Sequence, residues 1–259
     1  MSYIPYHKAG TVTMLAGPCS IESSEQLDEV GSALKELGLS WIRGGAFKPR
    51  TSPYSFQGLG EEGLKIMADV GERHSLKTLT EVVDTAQVEM VMSYIDALQI
   101  GTRNMANYEL LKAIGTATSK DHRPVLFKRG MAATIDEWLS AVEYLAAGGN
   151  PNIMLCERGL RTFETATRFT LDISAVPVIH KRSLFPICVD VSHPAGQVDL
   201  VPALAKAAIA AGCDSLMIEV HPNPPQAKSD ASQQLTIPEF EVLLGELRTV
   251  AAAVGKTIV

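Results

Sequence analysis

The chain has only four cysteines in 259 residues, at positions 19, 156, 188 and 213, and no two form a CxxC pair. So sparse a set cannot staple a chain of this length, which excludes a disulfide-built scaffold and makes reduced thiols the expectation. Excess positive charge is missing as well. The formal net charge is −6, whereas sequence-independent binding of nucleic acid requires a basic stripe or face. No stretch approaches the ~18 consecutive apolar residues of a membrane span, and the opening MSYIPYHKAG lacks the apolar run of a secretory signal. A cytoplasmic protein that engages neither nucleic acid nor membrane is expected. No Ser/Gly/Pro linker, charge block or low-complexity tract divides the sequence.

What the chain does have is apolar material, 46% of its residues, enough to bury a large core. Short β-type runs recur at 12–16, 41–43, 77–80, 98–100, 125–128, 153–156, 187–190 and 216–219. Successive starts lie 21 to 36 residues apart, the spacing of a strand, a loop and a helix repeated. The segments between carry helical periodicity: Leu27, Val30, Leu34 and Leu37; Trp138, Ala141, Val142 and Leu145; Phe240, Leu243, Leu244 and Leu247. Three open on capping-box patterns, Ser23 to Gln26, Thr134 to Glu137 and Thr236 to Glu239. Pro177 is expected to split the sixth helical region in two. Eight such units predict an α/β protein of the (β/α)8 TIM-barrel class. One catalytic domain is expected over 1–259, with residues 1–11 as an N-terminal extension and nothing beyond the last helix.

In such a barrel the C-terminal strand ends converge on one face, where active sites are built. Basic residues gather at those ends: Arg43, Lys48, Arg50, Arg103, Lys128, Arg129 and Arg158. Such a cluster suits a small, multiply charged anion, because guanidinium forks grip phosphate and carboxylate oxygens. Arg129 should face away from its neighbour Lys128, and Lys181 and Arg182, which precede a strand, belong to the opposite face. Cys19, His193, Glu219 and Asp230 also fall at strand ends. A lone cysteine is more often a small buried hydrophobe, and a lone histidine more often a hydrogen-bonding residue. Together, a thiolate, an imidazole and two carboxylates suit a divalent transition metal. Cys156, Cys188 and Cys213 are assigned to packing.

The segments AGPCSIES, RGGAFKPRTSPYSFQG, LQIGTRNM, FKRGMAAT, CERGLRTFE, LDISAVP, DVSHPAG and IEVHPNP closely resemble the type I-beta class of 3-deoxy-D-arabino-heptulosonate 7-phosphate (DAHP) synthases, over essentially the whole chain. The resemblance implies a metal-dependent condensation of phosphoenolpyruvate with erythrose 4-phosphate, the first committed step of the shikimate pathway. It implies Cys19, His193, Glu219 and Asp230 as ligands of Mn²⁺, Co²⁺, Fe²⁺ or Zn²⁺. Arg43, Lys48, Arg103, Lys128 and Arg158 would hold phosphoenolpyruvate, while the loop bearing Arg50, Thr51 and Ser52 would meet erythrose 4-phosphate. Lys48 is the candidate for proton transfer, and Cys19 and His193 serve catalysis through the metal. A homo-oligomer is expected, a tetramer ahead of a dimer. The related 3-deoxy-D-manno-octulosonate 8-phosphate synthases typically carry KANRSS where this chain has KPRTS. A non-catalytic barrel sensing a phosphorylated metabolite would not need all four ligands and every cation. Longer relatives carry an added regulatory domain; with nearly all of its length in the barrel, this chain is expected to be unregulated by aromatic amino acids or prephenate.

Overall fold

The computed structural model describes residues 8–50 and 52–259. In chain order its elements are β1 (Thr11–Gly17), α1 (Ser24–Glu36), β2 (Trp41–Arg43), α2 (Glu61–His74), β3 (Lys77–Val82), α3 (Val88–Met92), β4 (Ala97–Ile100) and α4 (Tyr108–Thr118). There follow β5 (Val125–Lys128), α5 (Ile135–Ala146), β6 (Ile153–Glu157), α6 (Ala175–Arg182), β7 (Ile187–Asp190), α7 (Ser192–Ala195), α8 (Val201–Ala210), β8 (Ser215–Glu219), α9 (Ile237–Ala253) and β9 (Thr257–Ile258). Strands β1 to β8 are parallel, each paired with the next, and β1 joins both β8 and β2. That closure makes a TIM barrel.

All eight expected strands form, with ends shifted by at most two residues. The ninth corrects the expectation that nothing follows the last helix: β9 pairs with the start of β1 through Thr11↔Thr257 and Val12↔Ile258. A strand this short carries no periodic signal. Pro177 does not split its helix either. It is the third residue of α6, in the first turn, where the absent N–H has no intrahelical acceptor to lose. The boxes at Thr134 and Thr236 are complete. At Ser23 only half forms, because the Gln26 side chain accepts from Glu22 N and donates to Ser20 O. Of the expected N-terminal extension, residues 1–7 lie outside the described residues.

Two hydrophobic layers follow from the alternation of strand side chains. One set, including Met14, Ala16, Ile42, Leu98, Val125, Phe127, Leu155, Val189 and Ile218, packs outward against the helices. The other, Leu15, Trp41, Leu79, Ala97, Leu126, Met154, Cys156, Cys188 and Met217, fills the barrel interior. Cys213 lies in the outer layer, and all four cysteines are free. Among the described residues no helix is long and apolar enough to cross a membrane.

The barrel closes tightly where β1 meets β2, through the single register pair Ala16↔Ile42. Gly17 sits there at φ +146°, and a Cβ would come 2.0 Å from the Arg43 carbonyl oxygen. Gly17→Ala should therefore destabilise the protein by ~3 kcal/mol or more, through backbone displacement and strain. Urea denaturation checks it; a loss indistinguishable from that of an ordinary surface substitution would show that the seam yields.

Candidate active site

Strand alternation carries the interior layer up into the barrel mouth. Two residues beyond Trp41, Leu79, Ala97, Leu126, Cys156, Cys188 and Met217 stand Arg43, Glu81, Gln99, Lys128, Arg158, Asp190 and Glu219. A period of two puts each on the same face as the apolar residue before it. Polar side chains thus replace apolar ones as the interior layer meets the open end.

The four predicted donors meet there. One ligand atom each from Cys19, His193, Glu219 and Asp230 lies within 4.8 Å of every other. His193 Nε2 is 3.6 Å from Glu219 Oε1 and 3.9 Å from Asp230 Oδ2, and Cys19 Sγ is 3.5 Å from Asp230 Oδ2. Donors bound at ~2.0–2.3 Å to one ion stand roughly 3 to 4.5 Å apart, so the cluster could close on a metal with only small side-chain adjustment. Local structure aims each one. Cys19 follows the β1 seam, with its N–H donating to Gln234 Oε1 at 2.9 Å and its carbonyl accepting from Gly45 N. His193 rides on the single turn of α7, Glu219 ends β8, and Asp230 adopts the left-handed conformation, φ +48°, which aspartate tolerates.

Electrostatics prepares the donors. His193 Nδ1 lies 2.7 Å from Asp190 Oδ2, too far off the ring N–H axis for a well-formed hydrogen bond. The carboxylate still favours the proton on Nδ1 and leaves Nε2 to the cluster. Burial lowers the His193 pKa, against Asp190 and Glu219, so the ring is neutral, as a ligand must be. Burial, reinforced by Glu219 and Asp230, pushes the Cys19 thiol up to about 12, although Lys48 and Arg43 oppose it. A bound divalent cation would displace that proton.

Beside the donors opens a cleft of about 320 Å³, lined by Arg43, Lys48, Arg50, Ser52, Arg103, Lys128 and Arg158 among others. Every predicted substrate-binding residue within the described set therefore reaches it; Thr51 lies outside the described residues. The buried cations differ in how they are balanced. Lys128 Nζ is 2.6 Å from Asp190 Oδ2, and Arg43 Nη1 is 3.0 Å from Glu219 Oε1. Lys48 Nζ donates to Cys19 Sγ at 3.0 Å and to Cys19 O at 3.1 Å. Arg43 Nε is buried with no partner among the described residues. Arg158 lies 4.0 Å over the Phe169 ring and makes one long hydrogen bond, 3.4 Å to Gly159 O. Burial pulls its pKa down, against Asp190, and an arriving anion would reverse that loss. Arg129 turns outward to Glu157 and Asp172, at 2.9 and 2.8 Å, as alternation requires.

Sequence reading missed Glu81, Gln99, Asp190, Arg168 and Phe169. Alternation could have found the first three, each two residues past an interior apolar position. Arg168 and Phe169 sit in the loop between β6 and α6, where no period operates. Asp190 holds both Lys128 and His193, and against burial they keep its carboxyl well below the usual range. Asp190→Asn should therefore cost ~3 kcal/mol or more, by leaving the Lys128 charge buried and unpaired. Adding Lys128→Met should recover part of the loss. Urea unfolding of the single and double variants tests it, and a double variant no more stable than the single would count against the pairing.

The match to the DAHP synthetase I family model covers residues 8–253. The chain is 49% identical over 246 residues to a phospho-2-dehydro-3-deoxyheptonate aldolase of Thermotoga maritima, covering 95% of this chain and 72% of that protein. It is 32% identical to a 2-dehydro-3-deoxyphosphooctonate aldolase of Nitrobacter hamburgensis, covering 95% of this chain and 93% of that one. Among solved structures, a DAHP synthase from Thermotoga maritima superposes with a TM-score of 0.93 at 46% identity, over 98% of this chain and 72% of that one. A truncated form of the enzyme from that organism gives 0.90 at 43% identity, over 98% and 91%. With its barrel, its four converging donors and its cationic cleft, this chain belongs to the DAHP synthetase I family.

Proposed function

We propose that the protein condenses phosphoenolpyruvate with erythrose 4-phosphate to give DAHP and inorganic phosphate. One juxtaposition carries the reading: a four-donor cluster opens directly onto a cleft whose buried cations are only partly neutralised. Phosphoenolpyruvate presents a carboxylate and a phosphate on one small frame. Arg43, Lys128, Arg158 and Arg103 hold those two ends and leave C3 free. That carbon attacks the sugar aldehyde, forming the C–C bond; water adds at C2, and the resulting hemiketal phosphate expels phosphate by C–O cleavage. Lys48, whose pKa is raised by Cys19 and Glu219 against burial, keeps a proton on Nζ at the mouth. Arg50 and Ser52, with Thr51 from the same loop, take the erythrose 4-phosphate phosphate group.

Cys19, His193, Glu219 and Asp230 would hold a divalent transition metal, which when bound supplies Lewis-acid polarisation of the aldehyde. The octulosonate reaction is the rival within this fold. Greater identity to the heptonate relative, 49% against 32%, and KPRTS at 48–52 favour the heptulosonate reading.

The deciding assay follows phosphate release and product with erythrose 4-phosphate and, separately, arabinose 5-phosphate, before and after chelation. Turnover is expected with the four-carbon sugar alone, lost on chelation and restored by Mn²⁺ or Co²⁺. Preference for arabinose 5-phosphate, or full activity in metal-free protein, would overturn the proposal. Arg50→Ala should raise KM for erythrose 4-phosphate at least tenfold, the loss expected when a charge-assisted phosphate contact of ~1.5–3 kcal/mol is removed, with KM for phosphoenolpyruvate little changed. Steady-state kinetics in both substrates checks it, and equal rises would remove Arg50 from this role.

A further inference from the structure

Gln233 is only 1% exposed and joins two groups of opposite character. Its Nε2 donates to Glu219 Oε2 at 2.7 Å, and its Oε1 accepts from Arg168 Nη1 at 2.7 Å. The partners dictate the orientation of the amide, because a carboxylate can only accept and a guanidinium can only donate. Glu219 thereby has one oxygen fixed by Gln233, while the other faces Arg43 and His193. Arg168 lines the cleft, 3.2 Å from Asp230 Oδ2, and shares the Phe169 ring with Arg158. The next residue, Gln234, turns the other way and pins Cys19 N and Ser229 O.

We propose that Gln233 is a positioning residue coupling the metal-binding carboxylate Glu219 to the cleft cation Arg168, on the phosphoenolpyruvate side of the site. Neither a hydroxyl nor a carboxylate could replace it, since the link must donate at one end and accept at the other across the span of one amide. The inference rests on the function proposed above. It adds that one side chain from the loop after β8 ties Glu219 to Arg168, alongside the direct contacts of Arg168 with Asp230 and of Arg43 with Glu219.

The test uses the full chain, stripped with chelator and titrated with Mn²⁺ against a competing chelator, alongside steady-state kinetics and thermal melting. Gln233→Met has similar length but neither hydrogen bond. It should weaken Mn²⁺ binding roughly tenfold or more, the usual effect of removing a group that orients a metal ligand, and should raise KM for phosphoenolpyruvate. Gln233→Glu keeps an acceptor for Arg168 but offers Glu219 no amide hydrogen. It should weaken Mn²⁺ binding while leaving KM for phosphoenolpyruvate near wild type. Unchanged Mn²⁺ affinity in either variant, or an equal rise in KM in both, overturns the coupling. A merely structural glutamine would lower both melting temperatures without producing this split. Should Gln233→Met fail to fold, Gln233→Glu decides alone: weaker Mn²⁺ binding with KM for phosphoenolpyruvate near wild type supports the coupling, and unchanged Mn²⁺ affinity or a raised KM overturns it. A wild-type chain that neither binds Mn²⁺ nor turns over would instead overturn the function itself, whatever the variants do.

Discussion

A single line of polar contacts, with a neutral imidazole between two ion pairs, holds the barrel mouth together: Lys128 to Asp190 at 2.6 Å, Asp190 to His193 at 2.7 Å, His193 to Glu219 at 3.6 Å and Glu219 to Arg43 at 3.0 Å. Its members come from β5, β7, α7, β8 and β2, so the line spans the rim. All are buried or nearly so, and none of the four charged members could keep its charge there alone, because desolvating an isolated ion costs several kcal/mol. Each therefore requires its neighbour. The line is weak evidence for stability, since buried ion pairs repay their desolvation only in part.

Balance along that line also defines what is left over. Arg158 is paired with an aromatic face rather than a carboxylate, and Arg43 keeps a buried Nε without a partner among the described residues. Buried donors in this condition mark a place where something else completes the set. A small anionic substrate of the kind proposed would do so, and by arriving would relieve the cost that burial imposes on the cations. In the middle of the line neutral His193, and beside it protonated Cys19, offer donors suited to a cation rather than an anion. One continuous network thus prepares adjacent sites of opposite preference, one suited to an anion and one to a cation.

The parity of short strands was legible in the residues themselves. Trp41 and Arg43, Leu126 and Lys128, and Met217 and Glu219 follow one rule, apolar below and polar above on the same face. Recurrence of eight such strands sufficed for the barrel, and the clustering of donors and cations at their ends sufficed to mark the rim where those residues come together. Pro177 was misread because a proline's effect depends on its position within the helix, and the true start of α6 has no strong cap signal. β9 escaped because its pairing with β1 is a contact between the two ends of the chain.

Sequence alone determined the eight barrel strands, the face each of their residues takes and the residue types gathered at their ends, because period, residue type and strand-end position are local properties. Tertiary structure decided the partners. That Asp190 stands behind His193, that Arg129 turns out to Glu157 while Lys128 turns in, and that Gln233 reaches Glu219 and Arg168 all depend on which loops fold over the rim. Loops have no period, and their side chains find partners only after the barrel has closed and set the distances between them.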